Sequence, residues 1–108
     1  MPTFVEKQDL ELAFAADWTE FDASSLTGVT ANTTTVLTLE IHQTSGGVNY
    51  FREDDGVGPE LEAQALGKSS GIVSKTQIQV PVTTSATFDY KQDREDAGFK
   101  AFLIAVDA

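Results

Sequence analysis

The sequence predicts an all-β domain, an antiparallel β-sandwich or jelly-roll-like fold of about seven or eight strands. Three observations predict it. Apolar residues alternate at period two in almost every apolar segment, which sets them on one face of a pleated chain. Short breaks rich in Gly, Ser, Asp and Pro separate those segments at near-regular intervals. The chain has 108 residues, 41% of them hydrophobic, which suffices to bury one core but not two.

The first element is "DLELAFA", where Leu10, Leu12 and Phe14 share a face, so a strand is expected over residues 9–15. "TTTVLTLEIHQ" repeats the pattern with Leu37, Leu39 and Ile41, and its Thr and Val content suits a strand over 34–42. After the turn signal "TSGG", "VNYFRE" gives a strand over 48–53. In "GPELEAQALG", Pro59 fits the first turn of a helix and Gly67 its C-cap. Leu61, Ala65 and Leu66 match helical spacing about as well as Leu61, Ala63 and Ala65 match a strand; the β neighbours favour the strand.

"TQIQVPV" places Ile78, Val80 and Val82 on one face of a strand over 76–82, and Pro81, which cannot donate to a ladder, predicts an edge or a break there. "ATFDYK" does the same with Ala86, Phe88 and Tyr90 over 86–91. "FKAFLIAVD" is apolar on both faces, so residues 99–106 are expected to form a central strand buried between two layers. The expected interior is Leu37, Leu39, Ile41, Phe88, Tyr90, Leu103 and Ala105, with Trp18 packed near one end. Residues 1–16 read as a strand or arm continuous with a single sandwich over 17–108.

Seventeen acidic against seven basic residues give a net charge of −10, so nucleic acid and anionic membranes are not expected as partners. There is no cysteine, which excludes disulfides and thiolate metal sites. The opening "MPTFVEKQDLELAF" carries Glu6 and Asp9 and lacks a basic stretch followed by an apolar run; a complete product without a signal peptide is expected. No window approaches the roughly 18 apolar residues of a membrane helix.

The stretch "NYFREDDGVGPE" looks most like chemistry, with Glu53, Asp54 and Asp55 in a row. Calcium loops space their oxygen ligands at alternate positions, whereas consecutive side chains of an extended segment point in opposite directions. Asp55-Gly56 is a turn signal, so the plain expectation is an exposed acidic hairpin tip. A second acidic turn, "DREDAG", holds Asp93, Glu95 and Asp96. Only if both loops met would Asp54, Asp55, Asp93 and Asp96 become calcium candidates, and no metal or cofactor is expected. Two carboxylates can also serve a glycosidase, but acidic turns are far commoner than paired catalytic acids.

"GKSSG" at 67–71 resembles the end of a phosphate loop, yet Glu62 stands where that motif needs its first glycine. The one histidine, His42, ends a strand beside "QTSGG", and no G-x-S-x-G elbow supplies a nucleophile for it. A polar strand-end histidine is the simpler reading.

The order Trp18-Thr19-x-Phe21-Asp22-x-Ser24-x-Leu26, then an alternating Val36–Ile41 strand, then "GGVNYFRE", "IQVPV" and "TFDYK", resembles small β-sandwich modules of tailed-phage virions. It spans roughly residues 17–106. Two departures stand out: residues 1–16 are extra, and the acidic "EDDGVGPELE" replaces a neutral or basic hairpin. The resemblance implies a non-enzymatic virion component, a capsid decoration protein or a fibre or tail-tip subunit. Its expected partners are other capsid or tail proteins and copies of itself, in a symmetric oligomer such as a trimer.

A carbohydrate-binding or receptor-recognition module is the alternative, with Trp18, Phe21, Tyr50 and Phe51 as its aromatic platform. Trp18, Tyr50 and Phe51 are the candidate ligand or partner contacts, although core packing competes for all of them. A hydrolase built on the two acidic loops ranks last.

Overall fold

Eight strands form two four-stranded antiparallel sheets in the computed structural model, which describes residues 2–44, 47–53, 61–64, 74–96 and 98–108. They are β1 (Thr3–Asp9), β2 (Thr19–Asp22), β3 (Val36–Gln43), β4 (Val48–Glu53), β5 (Leu61–Gln64), β6 (Ser74–Pro81), β7 (Thr87–Gln92) and β8 (Lys100–Asp107). The first sheet runs β1-β8-β3-β6 and the second β2-β7-β4-β5. The pairs β1/β8, β2/β7, β3/β6 and β4/β5 are nested, as in one long hairpin rolled up, and β3/β8 and β4/β7 close the roll. This is the jelly-roll form of the expected sandwich.

The alternation in the sequence becomes the wall between the sheets. β3 buries Leu37, Leu39, Ile41 and Gln43 and leaves the residues between them half-buried. Leu37, Leu39 and Ile41 of the first sheet, with Val80, Ala101 and Leu103, share one core with Phe51, Phe88 and Tyr90 of the second. Phe88 is its aromatic centre, 5.3 Å from the Phe21 ring and 6.0 Å from that of Phe51. All seven residues expected inside are buried.

Pro81 is the last residue of β6, and β6 is the edge of the first sheet, so the proline both ends the strand and spares the ladder a missing donor. Residues 61–64 are strand, paired from Phe51↔Leu61 to Val48↔Gln64, while 59–60 and 65–67 lie outside the described residues.

Four expectations are corrected. Residues 10–15 are not a strand; β1 ends at Asp9, and Glu11 takes a left-handed φ of 54°, which breaks the extended chain. Leu10 is buried, but Phe14 stays 45% exposed. Secondly, β8 is central yet buried on one face only, because among the described residues no layer lies over the outer side of the first sheet; Phe102 and Ile104 are half-buried there. β7 is buried at every residue but Lys91. Thirdly, Ala86 precedes β7, in a tight turn with φ 62°, where its amide donates to the Thr83 carbonyl at 2.9 Å. Lastly, Trp18 lies outside the core, on the outer face of the second sheet.

Candidate functional site

The irregular segment before β2 aims Trp18. The Gln92 amide donates to the Ala15 carbonyl at 2.7 Å, and the Tyr90 hydroxyl donates to the Ala13 carbonyl at 2.9 Å. Burial raises the pKa of that hydroxyl, which keeps it a donor. Thus fastened to the end of β7, the chain enters β2 with Thr19 opposite Tyr90, so Trp18 comes to lie beside Lys91. Tyr90 faces the core and Lys91, its neighbour, faces outward.

β4 completes the face. Tyr50 lies opposite Lys91 and Arg52 opposite Asp89, both half-buried on the outer side, while Phe51 between them is buried in the core. The Arg52 guanidinium stacks over the Trp18 ring at 3.9 Å from its centroid, and the Lys91 ammonium sits 4.6 Å from Trp18 and 5.2 Å from Tyr50. Arg52 Nε also donates to Asp89 Oδ2 at 3.2 Å, which pairs the nearly buried carboxylate. The result is a row of Trp18, Lys91 and Tyr50, running from the residue before β2 across β7 to β4, with Arg52 stacked on the indole.

Of the aromatic platform expected from the sequence, then, Trp18 and Tyr50 are brought together while Phe21 and Phe51 turn inward. Arg52 and Lys91 were missed. Period two places Arg52 on the face of Tyr50, but nothing local reveals that Lys91 and Trp18 lie beside them, because that depends on pairing between distant strands.

His42 lies on the outer face of the first sheet. Its Nε2 is 2.6 Å from Glu40 Oε1, and since a carboxylate only accepts, the imidazole donates. Lys7 Nζ donates to the same oxygen at 2.9 Å and sits 4.5 Å from the Phe102 ring, against which His42 also packs at 4.8 Å. The hydrogen bond from His42, then that from Lys7, hold the Glu40 pKa at about 2. This cluster fastens β1 across β8 to β3.

The acids of the second turn serve the backbone. Asp93 Oδ1 accepts from the Val48 amide at 2.8 Å; Asp96 accepts from the Thr44 amide, the Thr44 hydroxyl and the Gly98 amide at 2.9, 2.6 and 2.9 Å. Asp54, Asp55 and "GKSSG" lie outside the described residues, as does the connection between β4 and β5. Among the described residues no group of three or more acids or histidines is placed to hold a metal. A shallow cleft of about 160 Å³ opens between Leu12, Phe14, Gln92, Glu95, Asp96 and Phe99.

No protein-family model matches the chain, and no curated protein matches it.

Proposed function

We propose that the chain is a non-enzymatic structural component of a tailed-phage virion, a capsid decoration protein or a fibre or tail-tip subunit, that works as a homo-oligomer. The observation that carries this reading is the first edge strand. β1 ends its sheet, with no strand on its outer side among the described residues, and its Phe4 is 79% exposed. Such an edge is suited to cover by another chain. Jelly rolls serve capsid and lectin domains alike, so the fold supports the reading by analogy only. The engagement of His42, Asp93 and Asp96 in tethering contacts favours a scaffold over a catalyst.

Sedimentation of the purified chain tests the assembly. The native chain is expected to sediment as an oligomer and Phe4→Glu, which places a charge on the covered edge, as a folded monomer. A native chain that stays monomeric at high concentration overturns the assembly, and absence of the chain from particles purified from its source overturns the virion assignment.

A further inference from the structure

From the outer face of the second sheet we infer a binding site for an acidic saccharide, a chain of pyranose rings bearing carboxylates. The inference does not rest on the assembly through β1, which is on the other sheet. Three features of the face carry it.

The first is charge. On a chain of net charge −10, two of the seven basic residues converge on one indole. Arg52 is paired with Asp89, but Lys91 makes no ion pair among the described residues and stands against the two rings. A half-buried ammonium held between aromatic rings is oriented, and its natural complement is an anion.

The second is the rings. Trp18 and Tyr50, both half-buried, set aromatic rings on either side of Lys91, which an acidic peptide does not need and the CH faces of sugar rings do. The third is spacing. Trp18, just before β2, lies beside Lys91 of β7 and Tyr50 of β4, so the row crosses two strand spacings, about 10 Å. That is the reach of two linked pyranose rings, with the ammonium midway to meet a carboxylate carried by either ring.

Trp18 is the only tryptophan, so its emission reports on the site directly. The probes are tetragalacturonate, neutral maltotetraose and a glutamate tetrapeptide, titrated at low salt with calorimetry in parallel. Tetragalacturonate is expected to give a saturable change in Trp18 emission that weakens as salt rises, and the other two probes none. Lys91→Met should weaken binding by about tenfold, a decade of Kd. Lys91→Arg should restore most of it, and a native circular dichroism spectrum for both variants separates loss of the site from loss of the fold. Phe4→Glu should bind as the native chain does, so a failure of the assembly leaves this result standing. No response to tetragalacturonate overturns the site; an equal response to maltotetraose overturns its charge selectivity, and an equal response to the peptide overturns its assignment to a saccharide.

Discussion

Leu39 is wholly enclosed, pairs with Leu103 on one side and Ile78 on the other, and faces the aromatic side chains of the second sheet across the core. Leu39→Ala removes buried methyl groups from a space that two sheets hold open, so denaturant unfolding should show a loss of about 2–5 kcal/mol. A loss below about 0.5 kcal/mol is what a surface leucine gives and would contradict the burial. Trp18 shows the opposite case at the same scale. It is the largest side chain in the sequence and the natural candidate for a core, yet two cations on neighbouring strands hold it on the outside. Composition alone does not separate these outcomes, since the favourable face of an indole serves a cation as well as it serves a hydrocarbon.

β1 rests largely on polar contacts. Its burial is slight, and it is held by its ladder to β8, by the reciprocal amide bonds between Gln8 and Thr27 at 2.8 Å, and by Lys7 on Glu40. Gly28 closes the same fastening: its φ of 91° favours glycine, and a Cβ there would strike Val5. Because the Glu40 carboxyl is depressed from 4.5 to about 2, its contribution to stability is fully present above the unfolded value and is lost as pH falls through the folded one. Thermal unfolding between pH about 5 and about 2 should therefore fall more steeply for the native chain than for Glu40→Gln, which cannot ionise. Parallel slopes would show that the carboxylate adds nothing to the fastening of β1. The alternation that locates β3, β4 and β6 is weak in β1 and short in β2, so neither stands out in the sequence; pairing with β8 and β7 makes them strands.

Over the whole molecule the net charge of −10 sets the response to ions. Self-repulsion of an acidic surface opposes compaction, so sodium chloride should raise the melting temperature by screening it. Calcium at matched ionic strength should add nothing further, because Asp93 and Asp96 already accept from the backbone and the acids at 53–55 are consecutive. A native-state calcium site at about 100 times its dissociation constant would add roughly 2.7 kcal/mol. An excess rise with calcium that Asp54→Asn with Asp55→Asn abolishes would establish such a site.

Local pattern alone determined the fold class and which residues of β3 and β7 face the core, because period-two alternation is a property of neighbours in the chain and survives whatever the strands later meet. Leu37, Leu39, Ile41, Phe88 and Tyr90 needed no partner to be assigned to one face. The tertiary structure alone decided which strands are neighbours, that the outer face of β8 is half-buried, and that β7 is buried at every residue but Lys91. It also decided the candidate site. Trp18, Tyr50, Arg52 and Lys91 come from three segments separated by tens of residues, and only the register of β2 and β4 on β7 sets them side by side. Cross-strand register is fixed by the packing of the whole roll, and no single segment of the sequence carries that information.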